Sequence, residues 1–422
     1  MENNNPTPKP KDANKAVEKF LVSSASQLAP YLEACIHCGQ CAHACHFYEV
    51  TQDPKYTPAY KLFPMIKAYR RSKNPLNWLG MIPTLEEDEI AEWQDLVFNG
   101  CTMCGRCTNV CPMGIDVAQI VGATRQALTA AGYYPEDLMA AAENVVQHGS
   151  PLKVSTSVLE DRLEWIADES ETDIPLDKKG AEVMFTISSI ELMKYPDSVG
   201  AMAKMLNAAG VNWTISTKGY ESTNFGYLAG RPDIAKLGTS RLVNAAEELG
   251  VKELIIPECG HAYSVLRWNG ANIMGRPLGF KVYHITEYLA KLKREGKLKF
   301  KSIETAFTYH DPCQISRRGG AADDARYLLE GFAPNFVEMK VTGNQNWCCG
   351  GGGGVQAMNK YRDMRINVFK IKAKQVEETG TNTMISACAN CRLTMDESIA
   401  ELKWGGKLDS LVEILADNLI ED

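Results

Sequence analysis

Fourteen cysteines stand in 422 residues, and their spacing is far from random. Cys35, Cys38, Cys41 and Cys45 form a C-x2-C-x2-C-x3-C run, and Cys101, Cys104, Cys107 and Cys111 repeat it, followed by Pro112. The others lie beyond residue 258: Cys259, Cys313, the adjacent Cys348 and Cys349, and Cys388 and Cys391 in a C-x2-C. An even count can mean a disulfide framework, but that expectation belongs to short secreted chains. This chain is long, and its polar start, "MENNNPTPKPKDANKAVEK", has no apolar leader. Clustered thiols then read as metal ligands. Zinc usually takes its four ligands as two separated pairs, and a repeated two-residue gap does not have that form.

A two-residue gap lets successive sulfurs turn toward one centre, and in two-cluster ferredoxins the fourth cysteine of each run reaches across to the other cluster. The runs therefore predict one four-thiolate site from Cys35, Cys38, Cys41 and Cys111, and a second from Cys101, Cys104, Cys107 and Cys45, each for a cubane [4Fe-4S] cluster. His46 stands where the second run has Pro112, which leaves the ligand count unchanged. The stretch "NWCCGGGGGV" poses a separate question. Neighbouring side chains rarely reach one point, and the glycine run 350–354 costs backbone entropy. It lacks the Lys-Ser/Thr of a phosphate loop, and no strand–GxGxxG–helix fingerprint for a flavin or nicotinamide nucleotide is present. The glycines are expected to let backbone amides approach inorganic sulfides.

Three zones must position these residues. Residues 1–25 read as a disordered arm and 26–150 as a helical domain, with "TPAYKLFPMIKAYRRS", "LEEDEIAEWQDLVFNG" and "DVAQIVGATRQALTAAG" as its helices. Residues 151–180 are polar and acidic, a linker with room for one short helix. From 181 onward β-like runs ("VMFTI", "VNWTI", "ELIIP", "KVYHI", "ETAFTY", "NFVEM", "TMISA") alternate with amphipathic helices, which indicates α/β architecture with a largely parallel sheet. "AAEELGVKELIIPECGHAY" aligns weakly with "QVEETGTNTMISACANCRL", so 181–300 and 301–422 read as two copies of one α/β unit. The expected fold is α+β and multidomain, with cysteines at the carboxyl ends of strands, where open α/β sheets bind ligands. The net charge of −7 argues against a nucleic-acid partner. No apolar run approaches the roughly 18 residues of a membrane span. The expectation is a soluble, cytoplasmic chain that reaches a membrane only through a partner subunit.

With these motifs, "YHDPC", "CCGGGG" and "CANC" resemble the CCG domain of the heterodisulfide reductase catalytic subunit, B or D type, and the order of domains is similar to the fused D type. The long helical stretch between the first two cysteine runs resembles the α-helical ferredoxin domain of fumarate reductase and of heterodisulfide reductase electron-transfer subunits. The resemblance implies a non-cubane [4Fe-4S] cluster on Cys313, Cys348, Cys349, Cys388 and Cys391. A fifth cysteine beyond the four of a cubane points the same way. The first repeat departs from the two-cluster pattern. It has "TISS" (Ser188, Ser189), "TNFGYLAG" (Asn224, Phe225) and "PECGHA", where Ala262 replaces the partner of Cys259. One non-cubane cluster is therefore expected, as in DsrK-type and other sulfur-metabolism relatives. Cys259 then reads as a catalytic or substrate-contacting thiol facing the cluster, against a remnant packed as a small apolar residue.

The resemblance implies an iron–sulfur oxidoreductase subunit that carries electrons through two cubanes to or from a site where a disulfide or persulfide is cleaved or formed, with the half-reduced sulfur held at the cluster. Expected partners are a flavin or membrane cytochrome subunit and a disulfide substrate or small sulfur-carrier protein. Two other readings stand beside it: the electron-transfer subunit of a glycolate or lactate oxidase-like complex, and a structural zinc or scaffold protein. His261 and His310 read as proton relays or, more simply, hydrogen-bonded neighbours of the site, with Asp311 beside His310. Arg317, Arg318 and Arg392 read as holders of an anionic substrate tail or as solvated helix-end arginines. Lys67–Lys73 and Glu86–Glu89 read as docking patches or solvated faces.

Overall fold

The computed structural model describes residues 11–79, 81 and 85–421. Its N-terminal part is a helical layer: Ala13–Ser23, Ala25–Ala34, Pro58–Lys73, Glu87–Phe98 and Val117–Ala130. Local signals mark where these helices start. Thr57 accepts from the Tyr60 amide with Pro58 at the first helical position, and Asp116 accepts from the Gln119 amide. Their apolar stripes (Phe20, Leu62, Ile66, Trp93, Val97, Ile120, Val121) close one core. Residues 1–10 of the expected arm lie outside the described residues. The remainder of that arm is a correction. Asp12 caps the helix Ala13–Ser23, and its own amide bonds to the Ala131 carbonyl, 3.1 Å, so Phe20 is fully buried.

Beyond residue 180 lie two small parallel sheets. The first holds β1 (Val183–Phe185), β2 (Trp213–Thr214), β3 (Glu253–Ile256) and β4 (Lys281–His284) in the order β2-β1-β3-β4. The second holds β5 (Thr308–His310), β6 (Thr383–Ser386) and β7 (Lys407–Ser410) in sequence order. The central strands are apolar on both faces, as buried parallel strands must be. Val183, Phe185, Ile255 and Ile385 enter one core, and Met184, Leu254, Ile256 and Met384 enter the other. Each core thus draws on both sheets and joins them.

Two elements differ from the sequence reading, and a third, the helix allowed for in the linker, is longer than expected. The 151–180 linker carries the helix Thr156–Glu169, which buries Leu159, Leu163 and Ile166, and Leu176 bridges Ile215 at the sheet edge. "NFVEM" forms no strand; only Phe336 bridges Phe307. β7 escapes a sequence reading because it is a half-exposed, charged edge strand, where apolar alternation is weak.

Candidate metal centres

The two four-cysteine loops fold alike. His37 and Gly39 have φ of 53° and 79°; Met103 and Gly105, in the same register, have 54° and 75°. These left-handed steps on either side of the middle cysteine bring successive sulfurs inward. Cys35, Cys38, Cys41 and Cys111 line one void, with Ile36, Pro112 and Met113. Cys45, Cys101, Cys104 and Cys107 line a second, with His46, Thr102 and Lys61. Cys107 also borders the first void. The first site is the outer one: Cys38 is exposed and Ile36 is 63% exposed. Burial raises the Cys41 thiol, with Cys35, Cys111 and Cys38 adding to it, and burial beside Cys104, Cys101 and Cys45 raises Cys107 well above the usual range.

The inner site contains buried positive charge. Lys61 is 3% exposed and donates to the Gly100 carbonyl, with its ammonium 3.6 Å from Cys45 Sγ. Burial alone would lower its pKa, but Cys45, Cys101 and Cys107 outweigh this and raise it. Arg125, fully buried, donates to the carbonyls of Val97, Phe98, Cys101, Leu228 and Gly353. Burial lowers it to about 10, so it keeps its charge at neutral pH. Neither residue stands out among the sequence motifs. The signal that could have found them is a lone Lys or Arg on the apolar face of a helix.

The five remaining ligand candidates converge at the carboxyl ends of the second sheet. Cys313 follows β5, and Cys388 ends the loop after β6 as the N-cap of the helix Ala389–Leu402, with Cys391 in its first turn. Cys313 and Cys348 sulfurs are 3.9 Å apart. Neighbouring thiols stabilise the thiolates: Cys349 is lowered by Cys348 and Cys391, Cys388 by Cys391, and Cys348 by Cys104 and Cys313. All five thiols are buried, and none of the cysteines is in a disulfide. His310 puts a ring nitrogen within 4.8 Å of the Cys349 and Cys391 sulfurs, and neither of its nitrogens has a partner among the described residues. Burial holds it well below the usual histidine range, with Lys372 adding to the effect. Lys372, also buried, is lowered to about 8 by desolvation. Convergent unpaired thiols, an orphaned imidazole and nearby buried cations fit an anionic iron–sulfur group. A cavity of about 320 Å³ opens beside the sulfurs, lined by Cys313, Cys349, Cys388, Cys391, His261 and Gln314.

The glycine run is built for close packing of protein on protein. A Cβ at Gly351 would overlap Thr394, and one at Gly353 (φ +66°) would lie 2.8 Å from the Thr102 carbonyl carbon. The run lies on the inner-site loop. The same seam carries Cys348 Sγ 3.5 Å from Thr102 Oγ1, and Cys348 within 4.8 Å of Cys104 Sγ. Arg106 stacks over the Trp347 ring at 3.6 Å. Arg317 is used up here. It donates to the carbonyls of Cys104, Asn344 and Asn346 and to Asn346 Oδ1. Arg318 pairs with Asp116 at 2.8 Å. Arg392 is buried between Glu258 and Glu413, 3.0 Å from each. Arg392 is thus held inside the fold, whereas Arg317 and Arg318 keep these bonds while half-buried on the lining of the cavity of about 320 Å³. Lys67 pairs with Glu89 at 2.7 Å, so part of the basic stretch meets the acidic one within the helical layer.

Across from Cys388 stands a second strand-to-helix corner. Cys259 is the N-cap of the helix Gly260–Met274. The Ala389 amide donates to the Glu258 carbonyl, 2.7 Å, which ties the two corners together. Cys259 lines another cavity, about 290 Å³, with Ser188, Phe225, Leu228 and His261. Burial, then Cys388 and Glu191, raise its thiol well above the usual range, so it stands as a neutral S–H. His261 is lowered to about 4 by burial and bonds the Asn224 carbonyl, 3.1 Å. Ser188 caps the helix Ser189–Lys194 in a capping box with Glu191, and Asn224 caps Phe225–Leu228. Buried carboxyls that no sequence motif marks crowd this corner. Burial raises Glu191 to about 7 and Glu258 to about 8, and raises Glu221.

Comparison with known proteins agrees with this arrangement. The 4Fe-4S dicluster domain family matches residues 31–115, and the cysteine-rich CCG domain family matches 307–396. The D-type subunit of dihydromethanophenazine:CoB--CoM heterodisulfide reductase from Methanosarcina barkeri is 28% identical, covering 92% of this chain and 94% of its own. Hdr-like menaquinol oxidoreductase iron-sulfur subunit 2 of Archaeoglobus fulgidus is 27% identical, over 85% and 74%. EtfAB:quinone oxidoreductase of Syntrophomonas wolfei is 25% identical, over 91% of this chain and 58% of its own. Site and comparisons together define an iron–sulfur oxidoreductase subunit. Within that class the chain is similar to the fused, D-type heterodisulfide reductase subunit, with a dicluster domain followed by a CCG domain. Among the described residues no helix is long and apolar enough to cross a membrane.

Proposed function

We propose that this chain breaks or forms a sulfur–sulfur bond at the five-cysteine site, fed by two cubane sites in series. The outer site would use Cys35, Cys38, Cys41 and Cys111, the inner one Cys45, Cys101, Cys104 and Cys107, and the last Cys313, Cys348, Cys349, Cys388 and Cys391 with a non-cubane cluster. A cluster bound by such thiolates supplies electrons one at a time. Cleavage balances as R–S–S–R′ plus two electrons and two protons giving R–SH and R′–SH. The observation that carries the reading is the contact of Cys348 with Cys104, which sets the five-cysteine site against the inner one, while a cavity of about 320 Å³ opens beside the sulfurs. That volume lies within the usual range for small-molecule sites. Lys372 supplies buried positive charge behind the sulfurs, with His310 beside them as a neutral imidazole, and Cys259, a neutral S–H lining the neighbouring cavity of about 290 Å³, would donate a hydrogen bond to a sulfur substrate that extends into that cavity. The 181–300 and 301–422 segments act as paired α/β units whose corners meet across this site.

A second reading, electron transfer alone, has one observation in its favour: two similar proteins bear quinone or quinol oxidoreductase names. A partner subunit would then hold the chemistry, as in a glycolate or lactate oxidase-like complex. One experiment separates the two. Anaerobically purified protein, reduced by a one-electron dye, is given a small organic disulfide or trisulfide, and free thiol is measured. Thiol release that Cys349→Ser abolishes supports the proposal; full iron content with no thiol from any such substrate leaves the relay reading.

A further inference from the structure

One of the positions at which the two cysteine runs differ directly follows the fourth cysteine. Pro112 follows Cys111 beside the outer site, and His46 follows Cys45 beside the inner one. His46 is 3% exposed, with its ring against that of Phe47, centroids 4.3 Å apart. One of its nitrogens, Cys104 Sγ and Cys348 Sγ all lie within 4.8 Å of one another. Its Nε2 is 3.5 Å from Thr102 Oγ1, which is itself 3.5 Å from Cys348 Sγ. Cys104 belongs to the inner four-cysteine set and Cys348 to the five-cysteine set. The imidazole therefore sits where one set ends and the next begins. The gap around it is fixed from outside, since Arg317 holds the Cys104 and Asn346 carbonyls together.

We propose that His46 is the positioning residue that couples the inner site to the five-cysteine site, holding Cys104 and Cys348 at their contact and completing the path of the electron between them. With clusters held by these cysteines, the step would be a single electron transfer, one electron leaving the inner site for the five-cysteine site and dithionite serving as the external one-electron donor. No bond is made or broken. A proline here, as at position 112, offers no N–H and no side-chain nitrogen to either sulfur.

This inference rests on the three-site reading above, but its test needs no sulfur substrate. Full-length, iron-loaded protein is mixed with dithionite and freeze-quenched, and electron paramagnetic resonance follows the electron reaching the five-cysteine site and the magnetic interaction between it and the inner site. His46→Leu is expected to keep its iron, slow the transfer about ten-fold and weaken the interaction, on the scale of lost outer-shell partners at metal sites. His46→Gln, which keeps a side-chain N–H, is expected to restore at least half of the rate. An unchanged rate and interaction in His46→Leu would overturn the proposal, as would loss of iron from both variants. Should His46→Leu fail to accumulate, Thr102→Val decides: slower transfer supports the proposal, and a wild-type rate overturns it. Absence of the five-cysteine cluster from wild-type protein would instead defeat the proposed function, and that is read before any variant.

Discussion

Two corners of this molecule are built alike and do different things. After β3 the chain turns at Cys259 into the helix Gly260–Met274, and after β6 it turns at Cys388 into Ala389–Leu402. Both cysteines are extended N-caps that make no side-chain cap bond, at φ −127° and −148°. Three residues on, one corner has Ala262 and the other Cys391. The second corner collects five sulfurs; the first collects Glu191, Glu221 and Glu258 around a single thiol. The same backbone turn thus aims a sulfur from the carboxyl end of a strand at both corners, whether or not four other cysteines converge on it. What separates a metal site from a carboxyl pocket here is the side chains that arrive from other loops.

The largest effect expected from this contrast is at the second corner. Cys349→Ser should lose about four irons per chain, a whole four-iron site, and all disulfide turnover; iron analysis and a thiol assay check both. Cys259→Ala should keep all its iron and lose only part of the turnover. Equal iron loss in the two variants would erase the distinction between the corners.

Next comes the seam that sets the second corner against the inner site. Arg125→Leu leaves five carbonyls without their buried donor, and a loss of about 3 kcal/mol or more is expected in denaturant unfolding of the loaded protein. Gly353→Ala combines an unfavourable φ with a close approach to Thr102 and should cost about 1–3 kcal/mol by the same measurement.

The smallest effect belongs to the first corner. Glu191 is raised to about 7 by burial, so the folded protein binds more protons than the unfolded chain between the ordinary glutamate range and pH 7. Its contribution is therefore complete at low pH and is lost as pH rises through that window. Glu191→Gln should flatten the fall in stability across it, read from unfolding midpoints at a series of pH values.

The helical layer, the alternating α/β part and the grouping of the cysteines are legible because each carries a short-range signal: three- and four-residue periodicity, strand–helix alternation, and a two-residue gap. The expected sets Cys35, Cys38, Cys41, Cys111 and Cys45, Cys101, Cys104, Cys107 line separate voids. What stays hidden is long-range. Nothing local says that Arg317 spends its donors on Cys104 and Asn346, so by sequence it reads as a free anion holder. The glycines after Cys349 read as room for inorganic sulfide, whereas Gly353 faces Thr102 some 250 residues earlier, a contact that only the packed domains create. The helix Ala13–Ser23 hides in a polar stretch because its apolar stripe is thin until it meets Val117–Ala130.

The account stands most directly on the metal content of the chain and on where it is held. Iron and acid-labile sulfide should be measured on anaerobically purified wild-type protein and on a variant carrying both Cys388→Ala and Cys391→Ala. The account predicts about twelve irons in the first and about eight in the second, two cubanes remaining. Eight irons in both, or zinc in place of iron, would contradict it.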